Sequence, residues 1–251
     1  MDTWIIILAV VIIVIIFFLI KYYFFSTTTL AKNINLKNAP ADISSNAITN
    51  PSSVLYTFGS WIYVNNFSNA MLYSYVIGGS SGYNPPTNVQ YSLILGGARI
   101  NSTTVGKSNS PYLTAIISGK SGSIQSINTV TITQNFPIQK WVYVTVSVDT
   151  MYADCYLDGK LVISSPLQNQ ITNSPTQPPS ITFTPPPNSG FKVNPDIYLT
   201  KLNRWDHPLD PQSVWNEYYA GNGLSQGGNL TVGLSVNSDN SSKNYTIYSN
   251  A

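Results

Sequence analysis

An uninterrupted apolar segment near the N-terminus constrains this chain more than any other feature. The residues from Trp4 to Ile20 include no polar side chain. Continued to Phe25 as a helix, with about 1.5 Å of rise per residue, the segment reaches about 33 Å, enough to cross the hydrocarbon core of a bilayer. The side chains suited to the two membrane interfaces are Trp4, Lys21, Tyr22 and Tyr23. The sequence therefore predicts a transmembrane anchor over residues 1–25.

A cleaved signal peptide is the alternative interpretation of this segment. Its leading residues would be basic, but Met1–Thr3 contains no Lys or Arg. Its apolar core would also be shorter, about 7–15 residues. An uncleaved anchor therefore fits better.

The charges that flank the segment predict its orientation. Lys21, Lys32 and Lys37 follow it, so the positive-inside rule places the large C-terminal part on the cytosolic side. Five N-x-[ST] sequons point to the opposite side, but a chain this rich in Asn, Ser and Thr contains several by chance. The sequons begin at Asn66, Asn101, Asn229, Asn240 and Asn244.

The composition excludes some partners. Charged residues are 9% of the chain and the formal net charge is +2, whereas an ordinary soluble domain has about 25% charged residues. Such a neutral surface has no basic stripe for nucleic acid, so no nucleic-acid partner is expected. Cys155 is the single cysteine, which rules out an intrachain disulfide, favours a reducing compartment and suits a buried strand position.

The region after the anchor divides into three parts. Residues 26–53 are polar with no helical period and are predicted to be a stalk. Residues 54–221 alternate short β-branched runs with Gly, Asn and Pro, which is typical of a sandwich or barrel. Residues 222–251 form an Asn/Ser-rich tail with one alternating run, Leu230–Val236. The predicted strands of the middle part are Val54–Val64, Met71–Ile77, Gln90–Leu95, Leu113–Ile117, Ser126–Ile132, Trp141–Asp149, Ala153–Leu157, Lys160–Ile163, Ser180–Phe183 and Asp196–Asn203.

Local signals define the turns and one helix. Asp158-Gly159 predicts a tight hairpin, and the Pro-rich stretch 166–195 predicts a long surface loop broken by one edge strand. Asp210 is placed to cap a helix that has Pro211 at its first position and stops at Gly221.

Four segments in order carry a family resemblance: LYTFGSWIYV (55–64), YVIGG with YSLILGG (75–79 and 91–97), FPIQKWVYVTVSVD with ADCYLDGKLV (136–149 and 153–162), and DIYLTKLNRWDHPLDPQSVWNEYY (196–219). Together they resemble the LamG/pentraxin-like branch of the concanavalin A-like lectin/glucanase superfamily. The resemblance implies an all-β, two-sheet antiparallel jelly-roll sandwich with one short C-terminal helix.

The resemblance also implies a set of structural-core residues. Trp61 and Trp141 would plug the space between the sheets, and Trp215 would hold the helix to a sheet. Tyr156, Asp158 and Gly159 would form the Tyr-x-Asp-Gly turn of the family.

Catalytic motifs are weak. Glucanases of this fold need two carboxylates on one strand, but the single glutamate, Glu217, falls on the predicted helix, and Asp149, Asp154 and Asp158 bracket turns. The G-x-S-x-G match at 78–82 precedes two prolines, which forbid the helix that a nucleophile elbow requires. Gly119-Lys120-Ser121 lacks the upstream glycine of a phosphate loop.

No catalytic or cofactor residue is therefore predicted. Zinc is excluded because Cys155 and His207 are the only thiol and imidazole. Relatives often hold Ca²⁺ at a sandwich rim, which leaves Ca²⁺ open, but no ligand set maps onto this chain.

Two functional hypotheses remain. The first is a non-enzymatic structural protein that binds the lipid bilayer and other proteins. The combination of anchor, cytosol-facing sandwich and low charge resembles virion proteins of large double-stranded DNA viruses, which implies a minor capsid component that bridges an internal membrane and the capsid. The second is a lectin-like module on a cell or virion surface, which binds glycans through rim loops such as 78–86 or 175–195.

Overall fold

The computed structural model describes residues 4, 7–8, 10–16, 27–77, 89–96, 99–100, 103–104, 110–121, 124–168, 179–187, 189–224, 231–238 and 241–249. Residues 10–16 are helical. Within the described part of the chain, no helix is both long and apolar enough to cross a membrane. Of the predicted anchor residues, Trp4 is described and is 81% exposed, whereas Ile20, Lys21, Tyr22 and Tyr23 lie outside the described residues.

Strands dominate the rest of the described chain, which also contains two short 3-10 helices, Leu36–Asn38 and Ser45–Ala47. The elements are β1 (Thr27–Asn35), β2 (Tyr56–Val64), β3 (Ala70–Ile77), β4 (Val89–Leu95), β5 (Arg99–Ile100), β6 (Thr103–Thr104), β7 (Leu113–Ser121), β8 (Ile124–Thr133), β9 (Trp141–Val148), β10 (Tyr152–Leu157), β11 (Lys160–Pro166), β12 (Pro179–Thr182), β13 (Ile197–Trp205), α1 (Pro211–Tyr219), β14 (Thr231–Ser238) and β15 (Ser241–Ser249).

Two antiparallel sheets form a sandwich. The six-stranded sheet has the order β1-β13-β2-β9-β10-β11, and the five-stranded sheet has the order β12-β3-β4-β7-β8. β14 and β15 form a separate antiparallel hairpin, of which the sequence predicted only the first strand. The predicted two-sheet antiparallel sandwich with one short C-terminal helix is confirmed.

Side chains that alternate between the two faces of each strand fill the space between the sheets. In β9, the buried valines 142, 144, 146 and 148 belong to the central cluster, because successive strand side chains point to opposite faces. Aromatic rings fill the middle of this core: Phe58 and Tyr91 stack with their ring centroids 4.9 Å apart. Cys155 also lies in this cluster and is fully buried.

The segment predicted as a polar stalk is instead part of the sandwich. β1 pairs with β13, Leu36 and Ile48 are buried in the central cluster, and the guanidinium of Arg204 donates to the backbone carbonyls of Thr49 and Asn50 at 2.8 and 3.3 Å. The prediction missed β1 because an edge strand tolerates polar side chains on its solvent-facing positions. The sandwich therefore begins at residue 27 rather than residue 54.

β12 is the edge strand expected inside the Pro-rich stretch. It pairs with β3 along the sheet, and Ile181 forms an isolated bridge with Ile43 on its other side. Residues 169–178 of that stretch lie outside the described residues.

Candidate functional site: an aromatic row on the outer face of the six-stranded sheet

Helix α1 covers one part of the outer face of the six-stranded sheet. Asp210 caps it by accepting from the backbone N–H groups of Gln212 and Ser213 at 2.9 and 3.0 Å. The ring of Tyr218 stacks on Trp61 with centroids 5.5 Å apart. The helix thereby buries a second apolar cluster, separate from the central one, composed of Trp61, Tyr143, Tyr156, Trp205, Leu209 and Val214.

The tryptophans expected between the sheets lie on this outer face. Trp61 is buried beneath α1, and Trp141 is half-buried at the margin of the same cluster. The reason is the register: in β9 the valines occupy the inward positions, so Trp141 and Tyr143 point outward. Trp215 is 39% exposed, and it contacts Tyr218 and the β10–β11 turn.

The residues predicted to form that turn are together. Asp158 and Gly159 have φ values of +47° and +75°, the left-handed conformation that a two-residue hairpin requires. The Asp158 carboxylate also accepts from the backbone N–H of Tyr143 at 2.9 Å. Tyr156 lies under α1 and is 1% exposed, and burial raises its pKa to about 12. Asp158 thus serves local backbone structure.

Beside the helix-covered cluster, three rings form a line across three neighbouring strands. We call Tyr198 of β13, Tyr63 of β2 and Trp141 of β9 the aromatic row. The register places Tyr198 opposite Tyr63 and Tyr63 opposite Trp141. Their centroids are 6.3 and 5.4 Å apart, and all three side chains are half-buried. Each ring therefore keeps part of its surface accessible while its neighbours fix its position.

A polar group borders the aromatic row at the start of β13. The Asp196 carboxylate accepts from the side-chain amides of Asn65 and Asn66 at 2.8 and 3.3 Å. The bond from Asn65 is the main cause that lowers the pKa of Asp196, with smaller contributions from the charge of Lys37 and from Asn66 and Tyr198. Asp196 is therefore an ionised acceptor at neutral pH, next to amides that both donate and accept.

This arrangement suits binding better than reaction. Flat rings offer apolar faces for stacking, and the exposed Asn66 amide, held beside them by Asp196, offers hydrogen bonds to hydroxyl groups. Among the residues that the structure describes, no group of three or more His, Cys, Asp and Glu side chains could hold a metal ion.

The carboxylates that the sequence weighed for catalysis are dispersed. Asp149 accepts from the backbone N–H groups of Met151 and Tyr152 at 2.6 and 2.8 Å, as an Asx turn requires. Glu217 lies on α1, where burial raises its pKa. His207 pairs with Asp206 at 3.0 Å. The G-x-S-x-G match at 78–82 lies outside the described residues.

Sequence reasoning missed Tyr63, Tyr198 and Asp196 as site residues. A usable signal was present in the alternation of β2, YTFGSWIYV, where Trp61 and Tyr63 share one face. The alignment of Tyr63 with Tyr198 had no local signal, because β13 lies far along the chain and its pairing is a long-range contact.

Comparison with known proteins assigns this sandwich to a family. Residues 37–215 match the family model Laminin_G_3, described as the concanavalin A-like lectin/glucanases superfamily. The chain belongs to this superfamily. The matched region includes most of the segment that was predicted as a stalk, in agreement with its place in the sandwich.

Solved structures of similar shape are distant in sequence. The receptor-binding domain of botulinum neurotoxin D is 12% identical, with a TM-score of 0.42 over 66% of this chain and 37% of that one. The type G receptor-binding domain is 15% identical, with a TM-score of 0.43 over 66% and 38%. Domain 4 of AbnA, a GH43 extracellular arabinanase from Geobacillus stearothermophilus solved with arabinotriose, is 14% identical, with a TM-score of 0.40 over 66% of each chain. This chain thus spans less than two-fifths of the two toxin domains. A search of curated proteins gives no match.

Proposed function

We propose that this superfamily member is a non-catalytic, membrane-tethered binding module, and that the aromatic row is its ligand surface. The observation that carries the proposal is the alignment of Tyr198, Tyr63 and Trp141 on one accessible sheet face. A sugar ring has one apolar C–H face and a rim of hydroxyls. It would stack on the row and place its hydroxyls near Asp196 and the neighbouring amides.

A neutral, extended glycan is the ligand class that fits this surface best. Three rings in a line suit consecutive sugar units better than a single deep pocket would. The chain carries few charges, so stacking and hydrogen bonds, rather than ion pairs, would supply the affinity.

The non-catalytic part of the proposal depends on the placement of the carboxylates. Glycoside hydrolysis uses two carboxyl groups that flank the scissile bond at a fixed separation. Here Asp196 is occupied by two amides, and Asp149 and Asp158 are bound to backbone N–H groups.

The apolar N-terminal segment supports the membrane tether. Every side chain of residues 10–16 is exposed, by 47% to 65%, so the exposure covers every face of the helix. A helix that is apolar all round is stable when a protein core or lipid covers it, and the run from Trp4 to Phe25 is long enough for a bilayer.

The sheet register supports display of the aromatic row away from that membrane. β1 begins at Thr27, immediately after the apolar segment, and its last residue, Asn35, lies opposite Tyr198. Nine extended residues span about 30 Å. The tether and the row therefore lie at opposite ends of β1.

A second candidate function uses the same surface for protein docking. Lys32 and Lys37 are exposed, and with Lys21 they favour a cytosolic location, where the row would meet proteins rather than extracellular glycans. In that case the module would be a minor capsid component that bridges an internal virion membrane and the capsid of a large double-stranded DNA virus.

One experiment separates these candidates. The full-length protein in lipid nanodiscs is applied to a glycan array, together with Trp141→Ala, Tyr63→Ala and the control Tyr219→Ala, an 82% exposed ring on α1. Removal of one stacking ring costs about 1 kcal/mol of binding free energy, so the affinity of each row variant should be roughly fivefold weaker. The affinity of the control variant should be unchanged.

Two other results would argue against this proposal. Equal binding by all three variants would remove the aromatic row as the site. Absence of any saturable glycan binding, with protease protection showing a cytosolic domain and crosslinks from the row to a coat protein, would favour the docking function.

A further inference from the structure

The β9–β10 turn carries an exposed apolar tip, formed by Met151 and Tyr152, which are 57% and 49% exposed. The turn is held firmly: the Asp149 carboxylate accepts from the backbone N–H groups of both residues, and the Leu167 N–H donates to the Met151 carbonyl at 2.7 Å. The backbone is thus fixed while two large apolar side chains face outward. Burial of either side chain in an apolar environment would be favourable.

The sheet register places the apolar tip at the end of the sandwich where β1 begins. One line of paired residues crosses five strands from Thr27 through Trp205, Thr57 and Ser147 to Asp154. Tyr152 lies two residues beyond Asp154, on the same side of that line as the residues that precede Thr27. Four strand spacings of about 4.8 Å put the tip about 20 Å sideways from the start of β1.

The sequence leaves little room between the apolar segment and the sheet. Ser26 alone separates Phe25, the last residue of the predicted anchor, from Thr27, and one extended residue reaches at most about 3.6 Å. If the N-terminal segment spans a bilayer, this end of the sheet is held at the headgroups.

We infer that the apolar tip inserts into the interface of the same bilayer that holds the N-terminal segment; this inference rests on the proposed tether. A Tyr ring, with an apolar body and a polar hydroxyl, suits the headgroup level, and the unbranched Met side chain adapts to irregular apolar surroundings. Along the chain, the charged residues that flank the tip are Asp149 and Asp154, both acidic, so the contact is apolar and does not require anionic lipid.

Insertion of the tip would fix the orientation of the whole sandwich. A single tether lets a domain tilt freely, whereas two contacts about 20 Å apart on one end of the six-stranded sheet restrict that tilt. The aromatic row, at the opposite end of the strands, would then face away from the membrane.

Spin labels on the full-length protein in phosphatidylcholine vesicles test this inference. Met151→Cys and Tyr152→Cys report on the tip, Ile12→Cys on the tether, and Ile138→Cys serves as the matched control. Ile138 is an exposed apolar residue, at 46%, in the turn before β9 and therefore at the opposite sheet end. The native Cys155 is fully buried and does not compete for label. The measured quantity is the accessibility of each label to a water-soluble nickel chelate and to oxygen.

The expected result is several-fold lower nickel accessibility at positions 151 and 152 than at position 138, with oxygen accessibility raised toward that of position 12. Equal nickel accessibility at 151, 152 and 138, with position 12 protected, would overturn membrane insertion of the tip and leave the tether standing. Nickel access at all four positions would overturn both the tether and the inference.

Discussion

At the scale of single residues, Gly159 shows how one position couples a turn to the helix above it. Its φ of +75° lies in the left-handed region that glycine adopts readily and other residues rarely adopt. An added Cβ would lie 2.9 Å from Cε3 of Trp215 and 3.1 Å from Cβ of Tyr218. Gly159→Ala therefore combines backbone strain with a steric clash. We expect the free energy of unfolding, measured in urea, to fall by about 2–4 kcal/mol.

Gly190→Ala is the matched control for that change. Gly190 has nearly the same φ, +79°, but nothing lies within 4 Å of an added Cβ, so this variant has the backbone strain alone, about 1 kcal/mol or somewhat more. Equal losses in the two variants would contradict the packing of Trp215 against the turn.

Trp141 is a single residue whose position was predicted wrongly from the sequence. The alternation of β9, with valine at every second position, already indicates that Trp141 and the valines occupy opposite faces. The family resemblance placed Trp141 in the inter-sheet core instead. The local pattern was the better guide, because side-chain direction in a strand is fixed by its period.

At the scale of elements, most strands and the helix followed from local signals, and β1 did not. β2 and β9 are buried at nearly every position, and their runs of aromatic and β-branched residues display this directly in the sequence. β1 reads TTTLAKNIN, with most of its side chains exposed or half-buried. Its strand conformation depends on hydrogen bonds to β13, a partner that is far away in sequence. Such an edge strand has little pattern of its own.

The cap of α1 gives the prediction at this scale. Asp210 accepts from the hydroxyl of Ser213 at 2.7 Å and from two backbone N–H groups, and these bonds, that of the Ser213 hydroxyl first, lower its pKa. Asp210→Ala should reduce the free energy of unfolding at neutral pH by about 1 kcal/mol.

The pH dependence follows from the sign of that pKa shift. A carboxyl group whose folded-state pKa is lowered stabilises the fold above its unfolded pKa of about 4, and the contribution is lost as the pH falls through the folded pKa. The difference between wild type and Asp210→Ala, followed by urea unfolding, should therefore shrink in acid. Asp210→Asn keeps a good N-cap and should lose little at neutral pH. A wild-type-to-Ala difference that is constant down to strong acid would exclude this role of the carboxylate.

At the scale of the whole molecule, the two ends of the six-stranded sheet have different chemistry. The end at which β1 begins has the apolar tip, and the other end has the aromatic row and Asp196. Local sequence reasoning found neither: the aromatic row is assembled from three strands that the antiparallel register brings together, and the same register decides at which end of the sheet the two consecutive residues of the tip lie. What the sequence did indicate was the apolar segment that precedes β1 in the chain.

The core between the sheets gives the prediction for the whole molecule. Burial raises the pKa of Tyr73 and of Tyr75 to about 12, while an unfolded tyrosine has a pKa of about 10. The folded state therefore favours the protonated phenol, and that stability is fully present below pH 10 and lost as the pH rises toward 12, by on the order of 2–3 kcal/mol for a fully buried ring.

Because several buried tyrosines share the core, with the pKa of Tyr56 and Tyr91 also raised, alkaline unfolding should be cooperative. Phenolate absorbance from these rings and loss of the far-ultraviolet circular dichroism should then coincide. In Tyr73→Phe, which removes one such group, the free energy of unfolding should fall less steeply between pH 10 and 12. Complete phenolate formation near pH 10, with the β-sheet signal intact, would show that these rings are not sealed in the core.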